Sequence, residues 1–137
     1  MKMTNFTVHG EPQGKARPRA VRQSGIMRVY TPQKTKDYER EIAMAYMTQC
    51  NGMFSGAVSV TICAYFRIPK SASRKKVLAM INDEIKPSKK PDADNIAKAV
   101  CDALNGIAYK DDSCVVQLNV EKFYAKEPYI RVYISEA

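Results

Sequence analysis

Hydrophobic and polar positions alternate most regularly between Ala57 and Pro69. Val58, Val60, Ile62, Ala64, Phe66 and Ile68 take one face of an extended chain there, and Ser59, Thr61, Cys63, Tyr65 and Arg67 take the other. This pattern predicts a strand with one face in a core. A shorter alternation around Phe6 and Val8 predicts a first strand over Asn5 to His9. Val115 to Tyr124 and Tyr129 to Ile134 read as two further strands, and the short Ala125-Lys-Glu-Pro128 link predicts an antiparallel hairpin between them. Elsewhere the period lengthens. Thr31-Pro32 suits a helix start, Tyr38, Ile42, Ala45, Tyr46 and Met53 fall near helical spacing, and Asn51-Gly52 closes the segment. Ser71 or Ser73 is placed to cap a second helix running to about Ile81, while two prolines make Asn82 to Pro91 a loop. A third helix is expected from Asp94-Asn95 to Asn105-Gly106, where Gly suits the left-handed cap. The order β, loop, α, β, α, α, β, β predicts an α+β fold, with α/β packing of about three helices on a small mixed sheet. Residues 1–137 form a single domain in this reading.

The third helix divides cleanly at 100° per residue. Ile96, Ala97, Val100, Cys101, Ala103, Leu104 and Ile107 fall in one arc, and Asp94, Lys98 and Asp102 lie opposite. Gly10 to Tyr30 has little apolar periodicity and is rich in Gly, Pro and Arg. It predicts a long basic loop with a short hairpin pivoting at Ser24-Gly25.

Composition narrows the function. The 137-residue chain is 45% hydrophobic and 26% charged, which is ordinary for a globular protein and argues against wholesale disorder. No apolar run approaches the roughly 20 residues of a membrane span. The first ten residues lack the apolar stretch of a signal peptide, so a cytoplasmic location is expected. Cys50, Cys63, Cys101 and Cys114 form no Cys-x-x-Cys pair and have only His9 to help them. Reduced thiols, mostly in the core, are expected rather than zinc ligands.

The net charge of +8 suggests a polyanionic partner, yet Asp92, Asp94, Asp102, Asp111 and Asp112 are crowded into one short stretch. An acidic cluster repels phosphate unless a cation joins the two, and oxygen ligands suit hard divalent ions. Asp92 and Asp94 are two apart in extended chain and can face one ion. Asp111-Asp112 stands at the mouth of the next strand, and its distance from Asp94 depends on the tertiary fold. Taken singly, these residues also suit a helix cap, an Asp94–Lys98 surface pair and a turn. No His lies near the motif to act as base.

Among the basic residues, Lys15, Arg17, Arg19, Arg22 and Arg28 lie within fourteen positions, and Lys86, Lys89 and Lys90 precede the acidic stretch. Both groups suit phosphate contacts, with Arg able to pair bidentately. Gly10-Glu-Pro-Gln-Gly14-Lys15-Ala16 is no P-loop, because it is one residue short and lacks Ser or Thr after the Lys. Tyr65, Tyr109, Tyr124, Tyr129 and Tyr133 have faces on which bases could stack, though packing accounts for most of them.

The segment Lys90-Pro-Asp-Ala-Asp-Asn-Ile-Ala-Lys98, Asp102-Ala-Leu-Asn105 and Asp111-Asp112 before a Val-rich strand resembles the RusA-type Holliday junction resolvases. Gly14-Lys-Ala-Arg-Pro-Arg19, Tyr30-Thr-Pro-Gln-Lys34 and Tyr38-Glu39 extend the resemblance over most of the chain, in the right order. It implies a Mg²⁺-dependent endonuclease that nicks four-way DNA junctions symmetrically, of phage or prophage type. Asp92, Asp94 and Asp112 are then the implied metal ligands and Lys98 the implied catalytic lysine. Lys15, Arg17, Arg19, Arg22, Lys89 and Lys90 are the DNA-contacting residues expected beside them. A two-fold symmetric junction implies a homodimer, one site per opposed strand. A broader nuclease for branched DNA and a non-catalytic nucleic-acid-binding protein are the competing readings.

Overall fold

A computed structural model describes residues 1–137. The strand expected from residues 57–69 is β4 (Val58–Arg67), and it lies between two neighbours. The other strands are β1 (Met3–His9), β2 (Arg19–Gln23), β3 (Ile26–Tyr30), β5 (Val115–Ala125) and β6 (Tyr129–Glu136). The helices are α1 (Gln33–Gln49), α2 (Arg74–Ile81) and α3 (Ala93–Ala103). Four strands form a mixed sheet in the order β1-β6-β4-β5, while β2 and β3 form a separate two-stranded ribbon. The α+β class and the three helices are as the periodicity predicts.

The predicted β5–β6 hairpin is not formed. β5 pairs with β4 in parallel, β6 pairs with β4 antiparallel, and β4 therefore separates them. The link between β5 and β6 steps across the end of β4, where Ile68 N–H donates to the Ala125 carbonyl at 3.0 Å. Arg67 pairs with Glu127 over that crossing at 3.7 Å. A short polar link between two strands looks the same in sequence whether they pair or straddle a third. The strand with the most regular apolar face takes the centre: Val58, Val60, Ile62, Ala64 and Phe66 are all buried, whereas no residue of the edge strand β5 is fully buried.

α1 and α3 cover that apolar face. Tyr38, Ile42 and Tyr46 from α1 join Ile96, Ala97, Ala99, Val100 and Ala103 from α3 in one core cluster with β4, β6 and Phe6. Burial of each large aliphatic side chain contributes roughly 1.5–3 kcal/mol. Met53, which falls near the spacing of α1, lies beyond its end and is exposed. Pro32, not Thr31, occupies the N-cap of α1, with no capping side chain. Ser73 caps α2 by accepting from Lys76 N–H. On the other face of the sheet, Tyr65 stacks between Tyr129 at 4.3 Å and Phe123 at 5.1 Å, so these rings pack on one another. All four cysteines are free thiols; Cys50 and Cys101 are buried, and Cys63 and Cys114 partly so.

Candidate active site

The apolar arc read from the sequence is the buried side of α3, and Asp94 and Lys98 are exposed on its other side. Asp92 occupies the N-cap of α3, yet its side chain makes no capping hydrogen bond. An N-cap carboxylate ordinarily accepts from the first-turn N–H groups. The Asp92 carboxylate is thus exposed and not engaged by the helix.

After α3 the chain folds back sharply. Gly106 takes φ +73°, the left-handed region open to glycine, and its N–H donates to the Tyr109 carbonyl at 2.8 Å. Tyr109 is completely buried and its hydroxyl donates to the Cys101 carbonyl at 2.8 Å. This pin returns the chain to α3, so that Asp112 lines one cleft with Asp94, Lys98 and Asp102. The cleft encloses about 360 Å³, with Val115, Val116 and Leu118 of β5 as its apolar wall. Asp111 faces elsewhere: its carboxylate accepts from Ser113 N–H at 3.3 Å and caps the short 3₁₀ turn at Asp112–Cys114. Bonding to Ser113 holds the Asp111 carboxyl below its usual range. Burial, with the charges of Asp102 and Asp112 nearby, pushes up both the Cys101 thiol and the Tyr109 phenol.

The basic loop begins against the same helix. Gly14 lies so close that a Cβ there would stand 2.8 Å from Asn95 Cβ and 3.0 Å from Pro91 Cβ. Lys15 N–H donates to the Asn95 carbonyl at 2.9 Å. The Lys15 ammonium is engaged within the protein. It pairs with Glu39 at 2.6 Å and with Asp102 at 3.5 Å, and only 18% of its side chain is exposed. Burial acts to lower its pKa, but the bond to Glu39 and the charges of Glu39 and Asp102 outweigh that, and the pKa is raised. Asp102 also pairs with Lys98 at 3.5 Å, so Lys98 meets Asp102 rather than the Asp94 expected from spacing.

A second cleft of about 470 Å³ lies across the first turn of α3, lined by Lys15, Arg19, Lys34, Thr35, Lys90, Asp92 and Asn95 among others. Arg19 and Lys90 thus stand beside Asp92. Arg17 and Arg22 are exposed farther along the loop and ribbon. Lys89 lies over the rings of Phe66 and Tyr124 at 5.7 and 5.9 Å, away from this cleft. Lys34, Glu39, Asn95 and Asp102 also belong to the site, although the sequence pattern gives them no role of their own. They stand within the motifs around Tyr30, Tyr38, Asp94 and Leu104, but only tertiary contact gives them a place.

The carboxylates supply hard oxygen donors of the kind Mg²⁺ takes. Asp94, Asp102 and Asp112 share one cleft and Asp92 lines the other, and no three acidic, His or Cys side chains lie close enough to hold one ion between them. The donor chemistry fits a divalent cation, and a three-ligand shell would need the carboxylates to draw together.

Two comparisons bear on this arrangement. The chain is 40% identical over 139 residues to "Uncharacterized protein YqaN" of Bacillus subtilis (strain 168), covering 99% of this chain and 98% of that protein. The family model described as Endodeoxyribonuclease RusA matches residues 9–135, which include the basic loop, both clefts, the ribbon and the strands β4 and β5 in full. The chain belongs to the RusA endodeoxyribonuclease family.

Proposed function

We infer that this protein is a Mg²⁺-dependent endodeoxyribonuclease that resolves four-way DNA junctions by paired symmetric nicks. It acts as a homodimer in the cytoplasm, in recombination and repair, and comes from a phage or prophage. The observation that carries the reading is the meeting of an acidic cleft and a basic cleft across the first turn of α3, with Asp92 and Arg19 on one side and Asp94, Asp112 and Lys98 on the other. A binding module gains nothing from carboxylates beside a basic cleft.

Asp92, Asp94 and Asp112 would hold Mg²⁺, which when bound polarises phosphate and activates water at neutral pH. Arg19, Lys34 and Lys90 hold the phosphate backbone beside Asp92. Lys98 places its ammonium where negative charge grows as the phosphodiester is attacked. Asp102, paired with both Lys15 and Lys98, draws that ammonium toward α3.

The test uses a labelled synthetic four-way junction with the purified protein, in Mg²⁺ and in EDTA. Paired symmetric nicks are expected with Mg²⁺ alone. Asp92→Asn, Asp94→Asn and Asp112→Asn should each abolish cleavage while keeping junction binding, which tightens if lost negative charge dominates. A variant that cleaves at near wild-type rate removes that residue from the ligand set. Binding without cleavage by the wild type in Mg²⁺ would leave only a junction-binding protein.

A further inference from the structure

The β2–β3 ribbon stands apart from the core. All ten of its strand residues are exposed, joined by the two-residue turn Ser24-Gly25 with φ of +52° and +77°. A lone two-stranded ribbon is marginally stable in water, and this one exposes Val21, Ile26, Met27, Val29 and Tyr30. The register sorts them. Gln23–Ile26, Val21–Arg28 and Arg19–Tyr30 share one face, and Arg22–Met27 and Ala20–Val29 share the other. Both faces therefore carry apolar side chains flanked by arginine, and the tip carries Ile26 and Met27. A ribbon that docked on a flat partner would need only one apolar face. This one suits a partner that encloses it from both sides.

Charge selects the partner. From Pro12 to Lys36 there are seven basic residues and no acidic one. A second copy of the same ribbon would set arginine against arginine, whereas DNA neutralises it. Ile26 and Met27 cannot read base edges by hydrogen bonding. What aliphatic side chains do on DNA is wedge between base steps and unstack them. A branch point offers base pairs that already lack a stacking neighbour. Arg19 begins the ribbon on the rim of the basic cleft, and the tip residues lie outside that cleft.

We propose that the β2–β3 ribbon is the branch-sensing element, its apolar tip at Ile26 and Met27 inserting against unstacked base pairs at the junction centre while its arginines hold the flanking phosphates. The inference rests on the proposed junction-resolving function. The test is the double variant I26S/M27S, whose changes lie on exposed positions outside the core and outside both clefts. Affinity for a four-way junction and for duplex is measured in EDTA, with 2-aminopurine placed at the branch point to report unstacking. Loss of both aliphatic side chains from the unstacked step should lower junction affinity roughly tenfold or more. The fluorescence rise on binding should disappear, and duplex affinity should stay unchanged. Unchanged junction affinity with an unchanged fluorescence rise would overturn the wedge. So would conversion of a wild-type dimer to monomer on sedimentation, since the ribbon would then join two copies. Wild-type protein that binds duplex and junction equally would instead defeat the functional reading itself, and is told apart because it needs no variant.

Discussion

Asp102 is the residue on which two lysines of different roles converge. It is largely buried and receives Lys15 from the loop and Lys98 from its own helix, each at 3.5 Å. The Lys98 ammonium is the more exposed of the two and faces the cleft of Asp94 and Asp112, whereas Lys15 is closed in by Glu39. The two should therefore respond oppositely to removal. Lys98→Ala should lower the cleavage rate by roughly 10²-fold, the scale of one missing electrostatic group, with little change in junction affinity. Lys15→Met should leave Glu39 without its partner and cost about 1–2 kcal/mol, less than the roughly 3–5 kcal/mol of a fully buried pair, because these side chains are partly exposed and Asp102 keeps Lys98. That corresponds to a drop in Tm of roughly 5 °C. Single-turnover cleavage and thermal melts of both variants separate the roles. A Lys15 variant of unchanged Tm that loses duplex affinity would return that residue to the DNA-contacting set. From sequence, Lys15 sits among arginines with nothing to distinguish it. Its difference comes from Gly14, which lets the backbone reach Asn95 and so turns the side chain inward.

At the scale of elements, local pattern is a good guide where the signal is local. The alternation of β4, the apolar arc of α3, the Ser73 cap and the Ser24-Gly25 turn each depend on neighbours within a few residues, and each stands as expected. The pairing of β5 is not legible, because parallel and antiparallel partners present the same alternation. The convergence of Asp112 on Asp94 is equally hidden. It depends on Tyr109 reaching back to Cys101, an interaction no spacing rule encodes. The sheet order makes a distinct prediction about local stability. β4 is hydrogen-bonded on both sides and buried on one face, β5 has a free edge, and the β2–β3 ribbon has no layer beneath it. Amide exchange should be slowest in β4 and β6, intermediate in β5 and fastest in β2 and β3. A β5–β6 hairpin would instead protect those two strands together and leave one side of β4 open. Ile62→Ala, in the centre of β4 and fully buried, should cost about 2–5 kcal/mol by the usual scale of core truncation, read from denaturant melts.

Across the whole molecule, charge is not spread evenly. The segment from Pro12 to Lys36 takes seven of the eight net positive charges, leaving +1 for the rest of the chain. The net positive charge is therefore concentrated in one loop, the ribbon and the first turn of α1, whereas basic and acidic residues nearly balance over the rest of the chain. A polyanion should be steered to the side where the carboxylates stand, and its binding should weaken steeply with salt as counterions are released. Arg17 and Arg19 lie at the base of the ribbon, both exposed and neither in an ion pair. Replacing both with Ala removes two cations from the DNA-facing side without touching the core. Affinity for junction and duplex should fall together, and the slope of log K against log salt should flatten by about 0.9 for each phosphate no longer neutralised. The preference for junction over duplex should survive at low salt, because backbone contacts position the protein and carry no information about shape. This outcome is the reverse of that expected for the ribbon tip, where junction affinity falls alone. Measuring both variants on both DNAs at several salt concentrations therefore separates grip from branch sensing. If R17A/R19A left affinity and slope unchanged, the phosphate contacts would lie instead around Lys34 and Lys90 in the basic cleft.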